Sequence, residues 1–390
     1  MKLAVISDLH AHEATGPRRS SDAGYYTIGG RETANYHPME SLIEHVRTKR
    51  LTADYLLCAG DMGDRGNPVG LRKAWADAHR LAKQLSAHAV YAATGNHDVD
   101  SRHTYNDHDA KGALQQLEPT YPCNDDPESD HYWSKNFVLL THGELALVLL
   151  NSAAYHGEVK REWSHGRISK ATISKLKSAL RRVTSSCKAR VLLCHHHPQQ
   201  HPNLAEDDDY EVMKGGVLLV DLLARDANAP WLIIHGHKHY PRLVYASGGA
   251  TSPVILSSGS LAGYTDGSQG ISNQFHQIEV NSTGSGSAGL WGKVHTWTWH
   301  YGLGWKDPGS HATLPSVAGF GHRGDPSILG TRILEACAAP NMPWRELVAA
   351  VPEVENLIPD DWSTLVAYLN AKGRNLAYDD AGRPLSIGVP

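Results

Sequence analysis

Five times along this chain a short apolar run stops on a carboxylate, a carboxamide or an imidazole. Lys2 to Ser7 ends at Asp8-Leu9-His10, and Asp54 to Ala59 ends at Gly60-Asp61. Ala89 to Ala93 leads into Thr94-Gly95-Asn96-His97-Asp98, Ala189 to Cys194 into His195-His196-His197-Pro198, and Trp231 to Ile234 into His235-Gly236-His237-Lys238-His239. Runs of this length read as strands. Between the first three, apolar residues recur at helical spacing: Met39, Leu42, Ile43 and Val46, then Leu71, Trp75, Ala78, Ala82 and Leu85. That is the βαβ rhythm of an α/β chain, with chemistry-bearing side chains gathered where strands end.

The segments Tyr132 to Leu140 and Leu145 to Asn151 read as a strand hairpin around Thr141-His142-Gly143-Glu144. Helices with Ile173, Leu176, Leu180 and Val183 on one face, and around Val217 to Ala224, precede the fourth and fifth runs. Pro253 to Leu256, Gln274 to Val280 and Lys293 to Tyr301 are further strand candidates. The last puts His295, Trp297 and Trp299 on one face, read as core packing rather than a base-stacking surface. Residues 12 to 38 form a loop long enough to serve as a lid or substrate wall, and the Gly- and Ser-rich residues 281 to 290 a loose hairpin loop. Periodicity breaks over 306 to 326, which divides the chain into a body of residues 1–310 and an accessory module of residues 311–390.

Composition narrows the class. An apolar share of 41% and a charged share of 20% suit a globular chain, and no apolar run approaches a membrane span. Five scattered cysteines, two of them in strand runs, argue against a disulfide framework. Residue 1 enters a strand without a charged leader, so the expected location is cytoplasmic. The net charge of −4 gives no general attraction to polyanions, so nucleic acid remains a conceivable substrate that charge does not indicate.

Taken singly, a strand-end Asp or His is more often a cap or turn residue. Together, carboxylate, carboxamide and imidazole suit borderline metals such as Mn, Fe, Zn, Ni or Co better than Mg or Ca. One carboxylate able to bridge, with nitrogen and oxygen ligands on either side, describes a two-metal centre. The ordered set Asp8-Leu9-His10, Gly60-Asp61, Gly95-Asn96-His97-Asp98, His196-His197-Pro198 and Gly236-His237-Lys238-His239 resembles the calcineurin-like metallophosphoesterases over roughly residues 1 to 300. The resemblance implies a four-layer α-β-β-α sandwich of two mixed sheets. It also implies hydrolysis of a phosphate ester by a hydroxide bridging two divalent or mixed-valence ions, with manganese the leading choice.

Carried over by motif, Asp8, His10, Asp61 and His239 hold the first ion with Asp61 bridging, while Asn96, His196 and His237 complete the second. His195 is the alternative to His196, since one residue of register turns the other side chain inward. His97 becomes the proton donor to the leaving group, held by Asp98. The form Gly60-Asp61-Met62-Gly63-Asp64-Arg65-Gly66 resembles that of the protein Ser/Thr phosphatases, in which Arg65 clamps phosphate. The bland reading of Asp64 with Arg65 is a loop ion pair. Asp98, where that branch carries Glu, and Ala11-His12 after the first motif argue against protein dephosphorylation. The leading expectation is therefore a phosphodiesterase. The alternatives are a nuclease, with Arg18, Arg19 and Arg31 nearest to a strand-binding surface, a phosphomonoesterase or protein phosphatase, and a non-catalytic metal-binding scaffold.

In the C-terminal module three short helices are expected, around Ile328 to Cys337, Trp344 to Val351 and Trp362 to Leu369. A hairpin around Asp379-Asp380-Ala381-Gly382 follows, which is the order of a winged helix. From Gly321 to Pro390 there are six Lys plus Arg against nine Asp plus Glu, which disfavours DNA binding. The module is expected to dock on the body or bind a protein partner.

Overall fold

A computed structural model describes residues 1–14, 24–30, 33–184, 186–200, 210–227, 230–264, 271–282, 289–308, 312–337 and 340–389. Arg18, Arg19 and Arg31, residues 15–23 and 31–32 of the expected 12–38 lid and the centre of the 281–290 loop lie outside them. Two mixed sheets carry the molecule. In the first, the strands run in the order Gly304–Lys306, Trp291–His300, Asn273–Asn281, Lys2–Ile6, Tyr55–Cys58, Ala89–Ala92, the last three mutually parallel. In the second the order is Arg242–Tyr245, Val254–Ser257, Leu232–His235, Ala189–Leu193, Leu145–Leu150, Phe137–His142, with the middle four parallel.

Side-chain alternation explains how the sheets stack. Along Leu145–Leu150, the side chains of Leu145, Leu147 and Leu149 enter the core shared with Leu3, Val5 and Leu57 of the first sheet. Ala146, Val148 and Leu150 point the other way, into a second core under Leu176, Leu180, Leu219 and Leu223 of the helices Lys170–Leu180 and Gly216–Ala224. The helices Pro38–Lys49 and Pro68–Gln84 cover the outer face of the first sheet through Leu42, Val46, Leu71, Trp75 and Leu81. The expected helix–sheet–sheet–helix sandwich of an α/β fold is the observed one. Trp299 is buried on the sheet face covered by Pro38–Lys49, and Trp297 packs on the same face against His45 of that helix, as core packing requires.

Two local readings change. Tyr132 and its neighbours belong to a helix, Asp126–Lys135, and the strand begins only at Phe137. Asp125 caps that helix by accepting from the Glu128 N–H at 3.0 Å, Pro127 sits in its first turn, and Asn136 ends it at φ 64°. These end signals outrank the aromatic run. Beyond residue 310, Val317–Phe320 adds a strand to the first sheet beside Trp291–His300.

The C-terminal residues form helices Pro326–Ala336, Trp344–Ala350 and Pro359–Ala371 with a three-stranded sheet ordered Asn341–Pro343, Pro384–Gly388, Asn375–Tyr378. They close on a separate core of Leu329, Ile333, Leu347, Leu365, Leu369 and Ile387. Among the described residues no helix is long and apolar enough to cross a membrane, and the five cysteines are free and buried.

Candidate metal centre

The parallel strands of both sheets end on the same side, and the polar residues that follow them meet there, as open α/β sheets dictate. The backbone is bent hard to achieve it. Among the described residues, Asp8, His10, Asp61, Arg65, His237 and His239 all sit at φ between 49° and 76°, the left-handed region that side chains resist. Such conformations cost about 1–3 kcal/mol each and cluster at functional sites. Two glycines admit the close approach. A Cβ on Gly95 would stand 2.1 Å from Asp61 Oδ1, and one on Gly236 would stand 2.1 Å from Ser7 Oγ and 2.3 Å from Asp8 Oδ2.

Two sets of donors result, with Asp61 between them. On one side, Asp8 Oδ1 lies 3.2 Å from His239 Nε2 and 3.9 Å from His10 Nε2, and the two imidazole nitrogens are 3.0 Å apart. On the other, His195 Nε2 lies 3.2 Å from Asp61 Oδ2 and 3.1 Å from Asn96 Oδ1, which in turn is 3.0 Å from His237 Nδ1. Asp61 groups with His10 on the first side and with His195 on the second. The structure thus brings together Asp8, His10, Asp61, Asn96, His237 and His239.

The third histidine run offers both candidates. The residue against Asp61 and Asn96 is His195, while His196 groups with His195 and His237 and has its Nδ1 bonded to Ser152. Ser152 Oγ accepts from the N–H groups of His195 and His196, so its own proton goes to His196 Nδ1 at 2.8 Å. His195 Nδ1 donates to the Ala59 carbonyl at 2.8 Å, which leaves Nε2 to offer its lone pair to the centre. His196 stays beside this group, with Nε2 buried and without a hydrogen-bond partner.

Asp98 departs from expectation. Its carboxylate accepts from the backbone N–H groups of Gly95, Asp61 and Gly63 at 2.8, 2.9 and 3.0 Å, so it clamps two motif loops together. The group on His97 Nδ1 is Asp64 Oδ1, at 2.8 Å. Asp64 is thus the partner of His97 rather than half of a loop ion pair. Its contact with Arg65 is loose at 4.0 Å, and the Arg65 side chain is 59% exposed on the wall of a pocket shared with Asn96 and His97. The strand-end pattern could not flag Glu211, whose Oε2 lies 3.6 Å from His237 Nε2 and 2.5 Å from Lys238 Nζ.

The electrostatics fit cations. Burial and the neighbouring His97 push His10 down to about 3, and burial with the surrounding imidazoles drives His196 and His237 well below the ordinary value. Neutral rings present lone pairs. Burial opposes charge on His195 as well, yet Asp61 lifts it to about 9. The acceptors around Nε2 thus demand a positive charge, whether a proton or a metal ion. His97 is raised too, because Asp61 and hydrogen-bonded Asp64 outweigh its burial. Convergent Asp, Asn and His donors of this kind fit a pair of borderline divalent ions.

The family model of calcineurin-like phosphoesterases matches residues 1–254. No curated protein matches the chain. Among solved structures, a dimetal phosphatase from Danio rerio is similar at 13% identity and a TM-score of 0.50, covering 77% of this chain and 98% of that one. A purple acid phosphatase from yellow lupin (Lupinus luteus) seeds is similar at 11% identity and a TM-score of 0.48, covering 75% and 51%. At these identities the likeness is one of fold.

Proposed function

This chain belongs to the calcineurin-like phosphoesterases and is a dinuclear metal-dependent phosphoric ester hydrolase, and we propose that its substrate is a phosphodiester. Asp8, His10 and His239 would hold one ion and Asn96, His195 and His237 the other, with Asp61 placed between the two sets. Two ions so held supply Lewis-acid activation of the phosphoryl group and of a water molecule. His97 delivers a proton to the leaving oxygen, and Asp64 fixes its Nδ1 so that Nε2 faces the pocket. Arg65 pairs with phosphoryl oxygens.

The observation that carries the diester reading is the Asp64–His97 pair on the pocket wall. An alkoxide leaves poorly without a proton, and a positioned acid near neutrality supplies it. The test is hydrolysis of bis-p-nitrophenyl phosphate against p-nitrophenyl phosphate by metal-loaded protein. The diester should be the better substrate, and an Asn96→Ala variant should lose it. Equal diester rates in the variant would sink the proposal. A monoesterase is the second reading, favoured by the exposed Arg65 guanidinium beside His97. Preference for the monoester, lost most severely in Arg65→Ala, would select it.

A further inference from the structure

Beside His97 the wall of the site opens into a pocket that carries a second guanidinium. Arg102 stands on it together with Arg65, Ser101 and Trp163. Its Cζ lies 5.5 Å from the centre of the Trp163 ring. Among the described residues no carboxylate pairs with Arg102, while Arg65 has a loose contact of 4.0 Å with Asp64, which is itself bonded to His97. Two guanidinium groups therefore line this space, one of them without a carboxylate partner.

The loop that presents Arg102 is built rather than loose. Buried Asp100 accepts from the N–H groups of Thr104, Tyr105 and Asn106 at 2.8, 2.7 and 3.1 Å. His103 places Nδ1 3.0 Å from the Asn106 carbonyl and Nε2 3.0 Å from the Gly157 carbonyl, tying this loop to the segment that leads to Trp163. The backbone that carries Arg102 is thus held in place, and its guanidinium, over the Trp163 ring, can meet a phosphate dianion bidentately.

We propose that the pocket receives the leaving-group half of the substrate, and that Arg102, braced on Trp163, binds a second phosphate on it. The substrate class is a phosphodiester whose leaving alcohol is itself phosphorylated, such as a short oligonucleotide with a terminal phosphate. In the step a P–O bond forms from water and the P–O bond to the alcohol breaks. The alcohol oxygen takes a proton from His97, and the water returns one. The assignment rests on the diesterase reading, because the pocket begins at the proposed leaving-group donor.

The test compares a dinucleoside monophosphate with the same dinucleotide carrying terminal phosphates, on metal-loaded wild type, Arg102→Ala and Arg102→Lys. Wild type should favour the phosphorylated compound in kcat/KM by about tenfold or more, as a charged hydrogen bond supplies. Arg102→Ala should reduce that preference to near unity, and Arg102→Lys should restore part of it. Cleavage of bis-p-nitrophenyl phosphate without such a preference, or a preference that survives in Arg102→Ala, overturns the inference and leaves the diesterase reading standing. Failure to cleave any diester overturns both.

Discussion

At the scale of single residues, the centre was legible wherever a motif has one chemical meaning. Asp8, His10, Asp61, Asn96, His237 and His239 are indicated by strand-end position together with the ordered motifs of the family resemblance, and they converge in the structure. What could not be read is which of several adjacent side chains turns inward. That choice between His195 and His196 depends on Ser152, more than 40 positions away. Likewise Asp98 is spent on three backbone N–H groups, and the partner of His97 comes from another loop. Two outcomes follow. Metal analysis should find His195→Ala reduced from two bound ions to about one, whereas His196→Ala keeps both. Asp64→Asn should lower kcat by roughly 10²-fold for an alkyl diester, within the usual range for a positioned acid, and far less for a p-nitrophenyl ester, which needs no proton to leave. Equal losses on the two esters would remove the orienting role of Asp64.

Among the elements, the strands were readable because burial on both faces writes continuous apolar runs. The helix Asp126–Lys135 was hidden because its aromatic residues carry strand propensity, and its end signals decide the matter locally. The loop bearing Arg102 makes a pH-dependent prediction. Hydrogen bonds to the Asn106 and Gly157 carbonyls hold His103 above the usual imidazole value. Both ring nitrogens can donate only in the charged form. Because the folded value is the higher one, the stabilisation is complete below the unfolded pKa and is lost as pH rises through the folded one. Amide-exchange protection of residues 104–106 should therefore fall across that range in wild type and stay flat in His103→Gln. An unchanged wild-type profile would contradict the staple.

For the molecule as a whole, we propose that residues 321–389, in which the His322 N–H bonds the Asn356 carbonyl at 2.9 Å, form an accessory unit docked on the catalytic body. Its own core supports that division, and the strand at Val317–Phe320 moves the boundary beyond residue 310. Arg323 donates to the Ser252 carbonyl at 2.7 Å and lies 4.1 Å above the Tyr245 ring, while Arg242 reaches Asp360 at 3.1 Å. Arg323→Ala should destabilise the protein by about 1–3 kcal/mol, since it strips bonds from a partly buried charge. Denaturant unfolding would register the loss, and an unchanged midpoint would argue against tight docking. The acidic balance of this unit was evident in sequence, but its contacts were not, because they join residues far apart in the chain. The central claim, a two-metal hydrolytic centre, is tested most directly by titrating metal-stripped protein with manganese while following bis-p-nitrophenyl phosphate hydrolysis. The rate should rise from zero and saturate at two equivalents per chain, whereas saturation at one equivalent, or full turnover in excess chelator, would contradict it.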